Sequence, residues 1–557
     1  MNSPTSINIM GLKFRWLSSA VGIVSAIASI NTIATPVQAA ETIIIRKGFF
    51  EFSIAVTDLR SLVETGKLPE SLQSYAAALS PQQRGQIYGA LKAKIPLSVV
   101  TVSNLLNTQI GTAILADLAT VTPRRDNAGV LALRAALVLG ARAPGGLSVL
   151  SFIEAYPGQR IMVDLDRAFA VMQNLNAGFW QTQRFMAAIA PQLAARNTNI
   201  KFPFDPTQKG SNAVQILKLD LFDSKRNRRI PVDLYSSAAT NLDKPVIVFS
   251  HGLGSIRSDL RYLAEHLASY GYPVAALEHP GSNEAHTNAA IAGKGIILEA
   301  QEFLDRPKDI SFVLDELAKV NKTETSLLGK LSTDKVMVIG YSFGGATALS
   351  LAGAEIQLTK LKERCQSQLI AFSLGEGIQC AAAGLPENSY QLRDPRIKRA
   401  ISMNPTTSLL FGETGLNAIA IPTMIVAASA DKTTPALTEQ VARFSQIPSP
   451  KWLVGFLGGT HLSVKDPSAT LDQVGKPSTA VSGDEVVGDR AISVRNYIKA
   501  ISLAMAAQLT TDGDQYKVFL TSDYAQFAST SAIPVRLVTE IPPEAEAVVQ
   551  SFIKENQ

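Results

Sequence analysis

The strongest chemical signal in the chain is Val336-Met337-Val338-Ile339-Gly340-Tyr341-Ser342-Phe343-Gly344-Gly345-Ala346. It is a G-x-S-x-G box that follows an apolar strand-like run and precedes a small-residue helix pattern, Ala346 to Ala352. That context predicts Ser342 on a strained strand-to-helix turn, with its hydroxyl raised above a sheet. The Phe343 amide, at the helix start, is then aimed to stabilise an oxyanion. A serine hydroxyl is a weak nucleophile and needs a base. The chain has five histidines, His251, His266, His279, His286 and His461, and only His461 follows Ser342. In the order serine, acid, histidine it is the expected base. The acid should lie between the two, just past a strand end. Asp431 fits, at the close of Pro422-Thr423-Met424-Ile425-Val426-Ala427-Ala428-Ser429-Ala430; Asp394 and Glu376 are the alternatives. Its role would be to hold the His461 tautomer and stabilise the imidazolium.

A second oxyanion donor is expected from the loop after the run Val246–Ser250, which reads Phe249-Ser250-His251-Gly252-Leu253-Gly254. Leu253 is the candidate amide, with Gly252 and Gly254 permitting the backbone path, and His251 is read as orienting the loop. No H-E-x-x-H or H-x-x-E-H spacing joins His251, His279 and His286, so no metal site is assigned and no cofactor is expected.

Positioning these groups requires a sheet. Val214–Leu221 and Ile230–Tyr235 alternate as two strands around a polar turn. Short apolar runs follow at Val246–Ser250, Val274–Leu277, Val336–Gly340, Ala400–Met403, Thr423–Ala427 and Trp452–Leu457, most of them separated by helical patterns such as Ser258–Tyr270 and Asp309–Val320. The reading is an α/β domain with a mostly parallel sheet covered on both faces, spanning residues 213–530. Glu355–Arg393 falls between the nucleophile helix and the next strand, where a lid-like insertion would sit. Residues 41–197 are expected to form a mainly helical domain. Ser80-Pro81-Gln82-Gln83 is a capping box, Asn127–Ala141 a helix, and Arg167–Arg196 a longer pattern. Residues 198–212 read as a linker and 531–557 as a carboxy-terminal tail.

The segments Val246-Ile247-Val248-Phe249-Ser250-His251-Gly252-Leu253-Gly254, Val274-Ala275-Ala276-Leu277-Glu278-His279 and Gly340-Tyr341-Ser342-Phe343-Gly344-Gly345 resemble the α/β-hydrolase superfamily, and within it the platelet-activating-factor acetylhydrolase-like family. Tyr341 stands where that family commonly has histidine. The resemblance covers about residues 230–465. It implies a triad of Ser342, Asp431 and His461 with oxyanion amides at Leu253 and Phe343. It also implies metal-independent cleavage of a small ester or lipid with a short or oxidised acyl chain. Glu41–Phe52, Thr57-Asp58-Leu59 and Leu133-Arg134-Ala135-Ala136 resemble a bacterial domain of unknown function (DUF1400) that precedes such hydrolase domains. The expectation is an exported serine ester hydrolase of carboxylesterase, lipase or phospholipase type. Polyester or amide cleavage is the first alternative, and an inactive hydrolase fold used for binding the second.

Composition bounds the rest. At 557 residues, with 46% hydrophobic and 18% charged side chains, the chain has room for two cores and is not disordered. Its charge, 52 − 47 = +5, is too small and dispersed to imply nucleic-acid binding. Lys13 and Arg15 precede a mostly apolar run, Trp16 to Ala34, and Val37-Gln38-Ala39 supplies small residues for cleavage. Residues 1–39 therefore read as a signal peptide, with a periplasmic or secreted product. Export makes a Cys365–Cys380 disulfide the favoured expectation, worth about 3 kcal/mol in the chain-entropy model; two separate buried thiols are the alternative. The apolar amino-terminal helices leave peripheral membrane contact open, although a buried core explains them without lipid.

Overall fold

β-Branched Thr42 and the three isoleucines after it favour an extended chain, and Gly48, in a left-handed conformation, turns it back on itself. The structure, a computed structural model, describes residues 39–48, 50–77, 81–95, 97–107, 109–174, 177–189, 201–366, 373–473 and 484–555. The expected export segment up to residue 38 and Ser80 of the expected capping box lie outside them, as does the start of the expected linker.

Strands β1 (Thr42–Lys47) and β2 (Phe50–Ala55) form an antiparallel hairpin, and β3 (Arg160–Asp164) adds parallel to β1. Helices including Val56–Thr65, Gln109–Val121 and Gly129–Gly140 pack over this sheet around Ile43, Leu59, Leu115, Leu133 and Tyr156. Helices dominate the length of this unit, as its mainly helical reading expects, and a three-stranded sheet that the reading did not include organises its core. A consecutive isoleucine run has no period of its own, so alternation could not identify it. Part of the apolar surface stays exposed, at Phe50, Val100, Ile114 and Leu131. No helix among the described residues is long and apolar enough to cross a membrane.

The long pattern from Arg167 divides into Leu165–Asn174 and α1 (Ala177–Ile189). α1 packs with the larger, carboxy-terminal α/β unit. Phe185 enters that unit's core, Thr182 Oγ1 accepts from the Leu437 amide at 3.1 Å, and Gln183 Nε2 donates to the Ser429 carbonyl at 2.6 Å. The described part of the expected linker is anchored rather than free. Phe202 and Phe204 sit in an aromatic cluster with Tyr516, Phe519, Tyr524 and Phe527.

The main sheet has nine strands: β4 (Val214–Asp223), β5 (Arg228–Ser237), β6 (Pro245–Ser250), β7 (Val274–Leu277), β8 (Ser332–Tyr341), β9 (Ile397–Met403), β10 (Thr423–Ala428), β11 (Lys451–Phe456) and β12 (Val535–Val538). Their order is β12-β11-β10-β9-β8-β6-β7-β5-β4, parallel from β11 through β7 and antiparallel at both edges. This is the α/β-hydrolase fold that the motifs led us to expect. Alternation splits the strands between two cores. Val246, Val248, Val336 and Val338 face α2 (Glu302–Thr323) and α3 (Phe343–Ala352), whereas Ile247, Phe249, Met337 and Ile339 face the helix Arg261–Ser269 and α5 (Ile492–Ala507).

One boundary changes, and one holds. The expected tail 531–557 is, over its described residues 531–555, part of the fold: β12 pairs with β11, and Ala545 and Val549 of α6 (Pro543–Glu555) are buried in the core. The insertion 355–393 is closed by an antiparallel pair, Glu355–Gln357 with Ser389–Gln391, and anchored by buried Ile356, Leu358 and Leu361. Its cysteines Cys365 and Cys380 form the disulfide, Cα atoms 5.6 Å apart. Cys380 ends α4 (Leu374–Cys380), which the Gly375 amide ties to the Thr433 carbonyl at 2.7 Å, beside the Asp431 loop.

Candidate active site

Ser342 ends the rise of β8 with φ 56° and ψ −120°, a backbone conformation unfavourable for a residue with a side chain. Two glycines allow the tight turn: a Cβ at Gly340 would lie 1.9 Å from the Gly344 carbonyl oxygen, and one at Gly344 2.0 Å from that of Ser250. The Ser342 amide is held by the Met403 carbonyl at 2.8 Å on neighbouring β9.

His461, in the loop after β11, places Nε2 3.0 Å from Ser342 Oγ and Nδ1 2.7 Å from Asp431 Oδ2. A carboxylate only accepts, so Nδ1 carries the imidazole proton and Nε2 is free to accept from the hydroxyl. Asp431 is fully buried, and its other oxygen accepts from the Thr433 and Thr434 amides, both at 2.8 Å. Thr434 Oγ1 lies 2.8 Å from Asp431 Oδ2 and 3.2 Å from His461 Nδ1. Asn404, after β9, donates from Nδ2 to the His461 carbonyl at 3.2 Å. Tyr341 packs against the His461 ring, centroids 5.1 Å apart, and burial holds its phenol well above the usual range.

The three residues chosen from the sequence are therefore together, whereas the alternative acids are engaged elsewhere. Asp394 pairs with Arg396 at 2.7 Å, and Glu376 caps α4 through the Ser373 amide. Leu253 lies in the loop after β6 and Phe343 opens α3, and among the described residues neither amide donates to a backbone carbonyl in a turn, loop or cap. His251 acts as a loop brace: Nδ1 donates to the Gly252 carbonyl at 2.7 Å and Nε2 accepts from the His279 amide at 2.9 Å. Burial, reinforced by Arg306, holds its pKa well below the usual value, so the ring stays neutral. His279 bonds Ser250 and Asp309, and His286 bonds the Ile296 carbonyl.

Sequence reasoning missed Thr434, Asn404 and the buried charges on α2. An Asp followed three residues later by Thr is the local pattern of a side-chain-capped turn, which could have identified Thr434. Glu302, Arg306 and Asp309 share helical register with buried Ile310, Val313 and Leu317, so polar residues in an apolar stripe were the available signal.

Glu439, from the turn 437–441, joins α4 to the loop after β9. It accepts from Gln379 Nε2 at 3.1 Å and from the Thr407 and Ser408 amides at 2.6 and 2.8 Å. Burial, and then repulsion from Glu376, raise its pKa from 4.5 to about 7. A raised carboxyl pKa favours folding fully below 4.5, and that contribution is lost as pH climbs through 7. Thermal melts from about pH 5 to pH 8 should show wild type losing stability relative to Glu439→Gln, by about 3 kcal/mol at most. Parallel profiles for the two proteins would contradict the assignment.

Two family models match parts of the chain. Residues 39–164 match the family model described as "Alpha/beta hydrolase of unknown function (DUF1400)", although they precede the nine-stranded sheet. Residues 211–302 match "Platelet-activating factor acetylhydrolase, isoform II", a stretch holding the Leu253 loop and ending before Ser342. The chain is 32% identical over 150 residues to the platelet-activating factor acetylhydrolase of Cavia porcellus, covering 22% of this chain and 34% of that protein. It is 30% identical over 159 residues to the one of Canis lupus familiaris, covering 21% and 34%. The match thus spans about a third of the length of these relatives. By its sheet and these matches the chain is an α/β-hydrolase-fold protein, similar to the platelet-activating factor acetylhydrolases over the strands and loop that flank its candidate oxyanion site.

Proposed function

We propose that the protein is an exported serine hydrolase that cleaves a carboxylic ester of a small or lipid substrate through an acyl-enzyme on Ser342. The observation that carries this reading is the chain of two hydrogen bonds, 3.0 and 2.7 Å, from Ser342 Oγ through His461 to Asp431. Ser342 Oγ attacks the ester carbonyl carbon while His461 Nε2 takes its proton, and the oxyanion formed accepts from the Leu253 and Phe343 amides. As the ester C–O bond breaks, His461 returns the proton to the departing alkoxide. Water, deprotonated by His461, then attacks the acyl carbon, and Ser342 leaves with the proton restored. Asp431 stays ionised and holds the ring throughout.

Similarity to platelet-activating factor acetylhydrolases supports a lipid ester with a short acyl group, and the exposed apolar side chains of the amino-terminal unit fit contact with a lipid surface. The disulfide supports an oxidising compartment, periplasmic or secreted. The test is a substrate panel on the purified chain, alongside a fluorophosphonate probe with the labelled peptide mapped. Labelling of Ser342 and turnover of p-nitrophenyl butyrate and short-chain phospholipid, ahead of long-chain triglyceride emulsions, is the expected result. Preferential cleavage of amides or polyesters would replace the substrate class, and absence of both label and turnover would remove the enzyme reading.

A further inference from the structure

α2 presents a charged face inward. Glu302, Arg306 and Asp309, at i, i+4 and i+7, are each buried against the strands, where a helix ordinarily places apolar side chains. Arg306 contacts the loop that carries Leu253 directly, and the two carboxylates reach it through residues after β7. Glu302 Oε2 accepts from Ser282 Oγ at 2.9 Å, and the Ser282 carbonyl accepts from the Gly254 amide at 2.9 Å. Asp309 Oδ2 accepts from His279 Nδ1 at 2.9 Å; His279 Nε2 meets Ser250 Oγ at 3.0 Å, and its amide donates to His251.

Arg306 alone on this face touches both halves of the oxyanion site. Its Nη2 donates to the His251 carbonyl, two residues before Leu253, and its guanidinium lies 4.4 Å from the centre of the Phe343 ring. The Arg306 side chain is wholly buried, and among the described residues its Nε and Nη1 have no hydrogen-bond partner. Unpaired interior donors oppose folding, and an apolar side chain of similar length would fill the same space without them. Burial outweighs the buried carboxylates of Glu302 and Asp309, which favour the cation, and brings the Arg306 pKa down to about 9, so charge pairing alone does not account for this guanidinium. Its two contacts do, since they join loops that arrive from separate strands.

We propose that Arg306 is a positioning residue of the oxyanion site, holding the Leu253 and Phe343 amides in convergence through the His251 carbonyl and the Phe343 ring. The inference rests on the serine hydrolase reading above. Convergent amides act on the oxyanion of the transition state more than on the neutral carbonyl of the ground state. Loss of the side chain then weakens transition-state binding and leaves substrate binding nearly intact.

The experiment compares wild type, Arg306→Lys and Arg306→Met on p-nitrophenyl butyrate, with rates normalised to sites titrated by a fluorophosphonate. The Ki of a trifluoromethyl ketone, which forms a tetrahedral oxyanion adduct on the serine, is measured beside them. Arg306→Met should lower kcat about 100-fold per titrated site with KM changed less than about threefold, and raise the ketone Ki in parallel. Arg306→Lys, which keeps the cation but not the fork, should fall about tenfold. A residue that served folding alone would lower Tm and the titratable fraction, leaving kcat per site and ketone affinity at wild-type values; that outcome overturns the inference. Should Arg306→Met fail to fold, Arg306→Lys decides by the same comparison. A wild-type chain with neither turnover nor label removes the hydrolase reading first, and this inference with it.

Discussion

Ser342→Ala is expected to reduce kcat toward carboxylic esters by about 10⁵-fold and to abolish fluorophosphonate labelling, with Tm within a few degrees of wild type. The magnitude follows from what is removed and what remains. Without Oγ no acyl-enzyme forms, so His461 can only activate water across a gap shaped for a serine. The oxyanion amides survive, because both belong to the backbone, and they should leave a residual rate well above the solution reaction. Alanine retains the Cβ and therefore the same unfavourable backbone at φ 56°, which is why the fold should hardly register the change. Activity within tenfold of wild type on any ester the protein turns over would show that the nucleophile lies elsewhere.

Asp431→Asn is expected to lower kcat by about 10⁴-fold while leaving the fold intact. Here the surroundings of the carboxylate dictate the outcome. Its Oδ1 accepts two amides, from Thr433 and Thr434, so the asparagine must keep its carbonyl oxygen toward them. The new NH2 group then faces His461 Nδ1, which can only accept from it. The imidazole proton moves to Nε2 and points at Ser342 Oγ, the atom from which a proton must be taken. The variant should therefore bind substrate and take up fluorophosphonate slowly, with KM near wild type. A loss smaller than tenfold would mean that the acid acts only through packing, and the hydrogen-bond chain would not describe the reaction.

Much of this site was legible before the fold because its chemistry depends on short-range rules. The strained turn at Ser342 requires glycines two residues to either side, and a sequence either has them there or does not. Asp431 and His461 were readable because each follows an apolar run long enough for a strand. When neighbouring strands are parallel, all such loops emerge at one edge of the sheet. β8, β10 and β11 are parallel in this way, with β9 between the first two, so residues separated by 119 and 30 positions converge. Thr434 and Asn404 were harder to identify, since small polar side chains after strands are common and only their distances to Asp431 and His461 distinguish these two.

Elements outside that rule were misplaced for identifiable reasons. β12 arrives some 80 residues after β11. It is a short, antiparallel edge strand interrupted by Arg536, so nothing local marks it as part of the sheet. α1 looked like the end of a helical domain because amphipathic spacing reports that a face is buried and not which partner buries it. The aromatic pair Phe202 and Phe204 lay in a proline-rich stretch whose composition read as linker, and its anchor is contributed by residues more than 300 positions later.

By itself, then, the order of residues singled out the candidate nucleophile, base, acid and oxyanion amides, and with them the α/β layering, since turn geometry and strand period act over a few neighbouring positions. Tertiary structure alone decided that buried Arg306 bridges the Leu253 loop and Phe343, that α4 braces the Asp431 loop, and that the final strand closes the sheet. Those outcomes depend on which distant group satisfies a buried charge, an amide or an apolar face. Such pairing is a property of the assembled core, and no stretch of the chain encodes it alone.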